Sequence, residues 1–199
     1  MTSEISRIAE RMAAATVAIY MLLTWADAAT TNAAWKSPGG ELNDELLDRS
    51  GHLGLRFWAI HVAIALIIAV LARRGIACMA DLVPHLDQRS VRDLFSRRYD
   101  EGRESWRILF VITDTLLLKV VAPVSNLLEG AWGFGIPGLV RRWGTLVLGE
   151  RADVESVIRF PAIYTAAMLA FAFATPCTRM IVRRIARAYP AVMGVPQDR

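Results

Sequence analysis

The sequence has few residues of the kinds that carry catalytic chemistry. It contains only two cysteines and three histidines in 199 residues, and Cys78 and Cys177 show no spacing typical of a metal or redox site. No G-x-S-x-G, H-E-x-x-H or phosphate-binding motif occurs. The sequence therefore predicts no catalytic, cofactor-binding or metal-binding residues, and no cofactor.

Lysine is scarce as well, since only Lys36 and Lys119 are lysines among the 23 basic residues. The net charge of +4 and the pI of about 9.5 are values also found in nucleic-acid-binding proteins. The basic residues, however, cluster beside long apolar runs, where membrane proteins carry their orientation signals. We therefore expect membrane lipids and other membrane proteins as partners, and no direct contact with nucleic acid.

Apolar residues are abundant and make up 54% of the chain. They form four long runs, at about residues 13–34, 53–72, 108–128 and 160–178. Each run approaches the roughly 20 residues that a helix needs to cross a bilayer. We predict an all-α, polytopic membrane protein in which residues 1–199 form a single membrane domain with four transmembrane helices. The remaining residues are too few for a separate soluble catalytic domain.

The distribution of arginine predicts the orientation of these spans. The connection from Arg73 to Arg107 carries eight arginines and is expected in the cytoplasm, whereas the connection from Lys36 to Gly51 is the least basic and is expected outside. Both termini are then cytoplasmic, in the inner membrane of a bacterium. The third connection, which contains Arg141, Arg142 and Arg151, is the exception to this rule.

The chain ends in a basic stripe, because arginines recur at every fourth position, at Arg179, Arg183 and Arg187. This spacing places the three side chains on one face of a helix. We predict a separate C-terminal helix that lies on the anionic cytoplasmic surface of the membrane.

Ionisable residues inside the spans are costly and usually face other helices. Asp114 and Lys119 lie five residues apart, about 140° around a helix, so each is expected to pair with another span. We predict a pair between Asp27 and Lys119, with Asn126 as a further donor on the face of Lys119. His61 and Asp114 are predicted to form a second pair.

These buried polar residues permit two interpretations. Intramembrane ionisable groups often mark a proton or cation pathway. Alternatively, two interhelical pairs fix the register of the helices, because no Asp, Glu or His chain continues from them to either surface.

The fourth run contains a stripe of small residues, with alanine at every fourth position: Ala162, Ala166, Ala170 and Ala174. Such a stripe lets helix backbones approach closely. It predicts either packing inside the bundle or self-association of the protein through this span.

Residues 130–148 are rich in glycine and tryptophan. Gly133 to Gly138 match G-x-G-x-x-G, but a membrane span precedes them and Pro137 interrupts them, which is incompatible with a dinucleotide-binding βαβ unit. We expect a re-entrant or interfacial segment here, with Trp132 and Trp143 among the headgroups.

Two short motifs resemble known groups of proteins. Asp27-Ala-Ala-Thr30-Thr31, followed by Glu41-Leu-Asn43, resembles the D-x-x-T-T and E-x-N-P motifs of a family of small prokaryotic membrane proteins without known activity; Asp44 stands in place of the proline.

Arg97-Arg98-Tyr99 followed by Gly102-Arg103-Glu104-Ser105 is similar to the R-R-F-x-x-G-R-E-S connection of membrane proteins encoded in integrating conjugative elements, near type IV secretion genes. This resemblance implies an accessory subunit of a DNA-transfer or secretion machine.

Together these features predict a non-catalytic membrane subunit or assembly factor of a larger inner-membrane complex. The alternative is a small transporter or ion-conducting protein that uses Asp27, His61, Asp114 and Lys119. An intramembrane enzyme is the third hypothesis.

Overall fold

Long apolar stretches without helix-breaking clusters form most of the structure. A computed structural model describes residues 2–34, 53–98, 100–148 and 154–189. These residues are almost entirely helical and contain no strand. The helices are α1 (Thr2–Ala34), α2 (Leu55–Ala77), α3 (Met79–Leu82), a 3₁₀ helix (Val83–Gln88), α4 (Arg92–Phe95), α5 (Glu101–Trp132), α6 (Ile136–Leu148) and α7 (Val154–Ala188).

Four of the described helices are long and apolar enough to cross a membrane, which confirms the predicted fold class. The spanning segments are Glu4–Thr31, Leu55–Ala77, Gly102–Trp132 and Pro161–Ala188. Helices suit this environment because every backbone polar group inside a bilayer must be bonded within the protein. Large apolar side chains such as Leu22, Leu66, Val70 and Phe173 are exposed on these helices, as expected of surfaces that face lipid.

Three threonines within the spans satisfy their hydroxyl groups locally. Thr16, Thr113 and Thr178 each donate to the backbone carbonyl four residues earlier, at 2.8, 2.8 and 2.7 Å. This bond removes a polar group from contact with the apolar surroundings without a partner from another helix. These threonines are therefore compatible with the membrane and do not by themselves indicate a site.

The first and last spans are longer than the sequence predicted. The polar residues before Ala13 belong to α1, and Ile8, Ala9 and Ala13 are buried on one face of that helix. Likewise, α7 continues without a break to Ala188. The separate C-terminal helix was therefore a wrong prediction.

The continuity of α7 has a simple cause. Val182, Ile185 and Ala186 are buried, and their spacing gives the helix a packed apolar stripe beside the arginines. No glycine or proline interrupts the sequence between residues 179 and 188. The basic stripe is thus one face of a helix that is held to the protein by another face.

The described residues cluster into two compact units. Unit 1 draws on Met1–Ile19, Ile64–Thr115 and Phe171–Arg199, and unit 2 on Tyr20–Ala63 and Leu116–Ala170. The single membrane domain stays a prediction. Residues 35–52, with Glu41 and Asn43 of the first resemblance, lie outside the described part of the chain.

The core of unit 1 is aromatic. Trp106 is fully buried and lies 6.0 Å from Phe110, ring centre to ring centre, while Phe110 packs edge-on against Phe171 at 5.3 Å. The indole N–H of Trp106 donates to the carbonyl of Ser90 at 3.1 Å, so its polar group is satisfied. This bond fixes the α2–α5 connection, residues 78–100, against α5.

A glycine turn joins α5 to α6 in unit 2. Gly133 has a φ of 65°, a conformation that glycine adopts at the ends of helices. Ser125 and Glu129 of α5 then accept hydrogen bonds from the backbone N–H groups of Ile136 and Gly138, at 2.8 and 3.1 Å. These bonds satisfy the first turn of α6 and place a carboxylate where the helix dipole favours one.

Most of residues 130–148, the segment predicted to be re-entrant or interfacial, form helix α6. Trp143 and Leu146 are exposed on it, as are Trp132 and Phe134 in the preceding turn, and the guanidinium of Arg142 lies 4.2 Å from the centre of the Phe134 ring. The segment is a helix, and its position at the headgroups stays a prediction.

Candidate functional site

The predicted ion pair between the first and third spans is present in unit 2. Lys119 Nζ lies 2.8 Å from Asp27 Oδ2, and both side chains are only 14% exposed. Asp27 comes from the C-terminal part of α1 and Lys119 from the middle of α5. Each charge would be costly alone at this depth, so the pair is the arrangement that makes both tolerable.

His61 of α2 joins this pair. Its Nε2 atom lies 3.3 Å from Lys119 Nζ, and its Nδ1 atom lies 2.6 Å from the hydroxyl of Tyr20. Since an ammonium group has no acceptor, Nε2 must accept from Lys119. We infer that the ring proton is on Nδ1, which donates to the Tyr20 oxygen.

The predicted pair between His61 and Asp114 was wrong. Both ring nitrogens of His61 already have partners, and the ring also packs edge-on against Phe57 at 4.3 Å. Asp114 belongs to unit 1, where its Oδ1 atom is buried and has no hydrogen-bond partner among the described residues. Depth along a span predicted that the two groups were near the middle, but depth does not fix the rotation of the helix that carries each one.

Asn126 extends the cluster along α5, seven residues or about two helical turns beyond Lys119. Its side-chain amide donates to Thr31 Oγ1 of α1 at 3.0 Å. Asn126 and Lys119 thus both bond to α1, as expected from their common face of α5. Tyr20 was missed, although a tyrosine in an apolar span is itself a signal, because its hydroxyl needs a partner when it is buried.

A cavity of about 520 Å³ opens beside the ion pair in unit 2. Polar and apolar side chains both line it. The polar lining residues are Asp27, Thr31, His61, Lys119, Ser125 and Asn126. The volume falls within the range of small-molecule sites in proteins, about 300–1,000 Å³.

The alanine stripe of α7 is used inside the chain. Ala162, Ala170 and Ala174 are buried, and Ala166 is half-buried. Their burial within one chain supports the packing interpretation. Self-association through this span stays a prediction.

A second cluster of charges lies in unit 1, in the α2–α5 connection. The guanidinium of Arg89 is buried and donates to Asp100, with Nη2 at 2.6 Å from Oδ1. Asp100 also accepts from the backbone N–H of Arg103 at 2.6 Å. Burial alone would raise the pKa of Asp100, but these hydrogen bonds and the charges of the two arginines outweigh it and hold that pKa below its ordinary value.

Arginines of α5 complete this network. Arg103 Nη1 donates to Ser96 Oγ and to the carbonyl of Arg98, both at 2.8 Å, and Arg107 Nε donates to the carbonyl of Asp93 at 3.1 Å. Several charged groups of this connection are therefore partly buried and bind its backbone.

Two small residues of the G-R-E-S motif allow this close packing. A Cβ atom on Gly102 would lie 2.6 Å from the carbonyl oxygen of Asp81, so only glycine fits there without movement of the backbone. Ser105 is fully buried and donates to the carbonyl of Gly75 at 2.6 Å. The motif therefore has a structural role in this protein.

The three arginines of the C-terminal basic face have different surroundings. Arg179 donates to the carbonyls of Asp87 and Arg89, and Arg183 forms an ion pair with Asp87. Arg187 is exposed. The first two arginines thus bind the α2–α5 connection, a contact that the sequence analysis did not predict.

Comparisons of the chain with protein-family models, with curated proteins and with solved structures find no match. Within the described ranges, no three His, Cys, Asp or Glu side chains are grouped so as to hold a metal ion.

Proposed function

We propose that the protein is a non-catalytic integral membrane subunit, or an assembly factor, of a larger complex in a bacterial inner membrane. Both termini and the α2–α5 connection face the cytoplasm in this proposal, because arginine is concentrated in those segments. The partner is another membrane protein, and the connection is the surface that it contacts.

The observation that carries this proposal is that side-chain contacts hold the α2–α5 connection in a defined structure. Three short helical segments are held in place by Arg89, Arg103, Arg107 and Arg179, which bind carboxylates or backbone carbonyls of the connection. Immobilised guanidinium groups lose side-chain entropy and hydration. We call the connection with these arginine contacts the framework. A connection that only joins two spans does not require it, whereas a surface that binds a partner must keep a fixed shape.

The framework displays a basic and aromatic surface, which we call the Phe95 face. Phe95 is 78% exposed, and the side chains around it in sequence are also exposed: Arg92, Arg97 and Arg98. Aromatic residues and arginine are enriched in protein–protein interfaces. The exposure of a large aromatic side chain outside the spans is unusual unless another surface covers it.

The similarity of the R-R-Y-x-x-G-R-E-S stretch to proteins of integrating conjugative elements extends the proposal to a conjugation or secretion machine. Gly102, Arg103 and Ser105 hold the framework together, while Arg97 and Arg98 lie on its surface. The motif thus contains residues that hold the connection in place and residues that are exposed on it, as a docking surface requires.

The test is site-specific photo-crosslinking in the living host. A photoreactive amino acid at Phe95 is expected to give one discrete protein adduct, which disappears when Arg97→Glu and Arg98→Glu are introduced. The matched control is the same amino acid at Leu22, which is 64% exposed on a span and is expected to give no discrete adduct. Absence of an adduct at Phe95, together with a monomer as the largest species in mild detergent, would contradict the proposal.

The cavity beside the ion pair favours a second candidate, a small transporter or ion-conducting protein. A solute would bind there next to Asp27, His61 and Lys119. Flux into liposomes that is lost in Asp27→Asn or Asp114→Asn would support this candidate. Liposomes without flux would support the subunit role.

A further inference from the structure

The cavity of unit 2 has an amphipathic lining. The ion pair lines it together with apolar residues: Leu53, Phe57, Ile60, Leu118 and Ile163. A ligand that fills it must therefore bring both polar and apolar groups.

The ion pair retains hydrogen-bonding capacity toward this cavity. Lys119 carries three N–H donors, and two partners are present among the described residues, Asp27 and His61. The carboxylate of Asp27 accepts from Lys119 through one of its two oxygens. Both side chains line the cavity and are 14% exposed, so a ligand can contact both ends of the pair.

The charges on the lining select the charge of the ligand. Asp27 and Lys119 balance each other, and a ligand with a net charge would leave that charge without a partner in a poorly solvated site. A ligand with one cation and one anion binds both members of the pair and adds no net charge. Its apolar part then contacts apolar residues of the lining such as Leu53, Ile60 and Ile163.

We propose that this cavity binds a zwitterionic amphiphile. The ligand has a primary ammonium group that donates to Asp27, an anionic oxygen group that accepts from Lys119, and an apolar portion. Two sources share this chemistry: a free amino acid with an apolar side chain, and the headgroup region of phosphatidylethanolamine. The proposal does not depend on the subunit role, which stands or falls with the crosslinking test.

The experiment measures binding to the full chain in an uncharged maltoside detergent. The probes are radiolabelled leucine and a short-chain phosphatidylethanolamine. The controls are octanoate, which has only the anion, octylamine, which has only the cation, and short-chain phosphatidylcholine, whose quaternary ammonium cannot donate a hydrogen bond. Saturable binding of leucine identifies a free amino acid as the source, and binding of phosphatidylethanolamine alone identifies the lipid.

Two variants test the site. Asp27→Asn with Lys119→Gln removes both charges together and is expected to weaken binding at least about tenfold, since each charged hydrogen bond is lost. Ala122→Met fills the cavity beside the intact ion pair and is expected to weaken binding similarly. Glu10→Gln is the control, because it removes one carboxylate from an exposed ion pair of α1 that is absent from the cavity lining, and its binding should match that of the unmodified chain.

Three results would overturn the proposal. They are no saturable binding of either zwitterion, equal binding of octanoate or octylamine, and undiminished binding in both cavity variants. If the charge-free variant does not fold, Ala122→Met alone decides, and binding at the level of the unmodified chain refutes the site.

Discussion

Substitution of Asp27 by asparagine is the most informative perturbation of the ion pair. It leaves the ammonium of Lys119 without its carboxylate partner, which lies 2.8 Å away in the native chain. Removal of one member of a buried pair costs about 3–5 kcal/mol. The lower end applies here, because the pair is 14% exposed and His61 still accepts from Lys119. We expect a loss of about 3 kcal/mol, or a decrease in Tm of about 6–12 °C.

The assay is thermal unfolding of the purified protein in mild detergent, followed by size-exclusion chromatography. The double variant, Asp27→Asn with Lys119→Gln, should recover part of the loss, because neither side chain is then an unpaired ion. Asp114→Asn is the matched control, since it makes the same chemical change at a carboxylate whose Oδ1 atom has no partner. We expect its Tm to be unchanged or raised.

The reasoning would be refuted if Asp27→Asn were as stable as Asp114→Asn. It would also be refuted if the double variant were no more stable than Asp27→Asn, because the two charges would then not be coupled.

Three further predictions concern other parts of the molecule. Gly102→Ala should lower the Tm, because its Cβ meets a backbone carbonyl, whereas Gly130→Ala in the same helix has open space and should leave the Tm unchanged or raise it. Because the pKa of Asp100 is depressed in the fold, its ion pairs stabilise the protein above the ordinary carboxyl pKa of about 4. This stabilisation is lost as the pH falls through the lower pKa of the folded state. On acidification, the Tm of the unmodified chain should therefore fall more steeply than that of Asp100→Asn. Tyr20→Phe should cost about 1–3 kcal/mol, because it leaves a buried histidine N–H unpaired, while Tyr164→Phe, at an exposed position, should have little effect; a Tm that is equal in the two variants would contradict the assigned bond.

The sequence was sufficient to predict the spans and the Asp27–Lys119 pair. Span length follows from runs of apolar residues, and an ionised group at such depth needs an opposite charge on another helix. The first and third spans carry opposite charges at a matching depth. Hydrophobicity and charge therefore determine this pair almost alone.

The partner of His61 was beyond this kind of reasoning. Its choice between Asp114 and Tyr20 depends on how each helix is rotated about its axis, which is set by the packing of side chains such as Phe57. The same limit applies to the α2–α5 connection. A buried arginine such as Arg89 and an exposed one such as Arg97 look alike in the sequence.

The continuity of α7 was predictable, in contrast. Val182, Ile185 and Ala186 follow the spacing of a packed helix face, and they occupy the same segment as the basic stripe. Attention to the arginines alone led to the prediction of a separate surface helix.

The proposed role depends most directly on the side of the membrane that the Phe95 face occupies. A cysteine at Arg97, in a chain with Cys78 and Cys177 replaced by serine, reports this side through its reaction with a membrane-impermeant maleimide. We predict labelling in inverted inner-membrane vesicles and none in intact spheroplasts. Labelling in spheroplasts, with none in inverted vesicles, would place the surface outside the cell and contradict the proposed role.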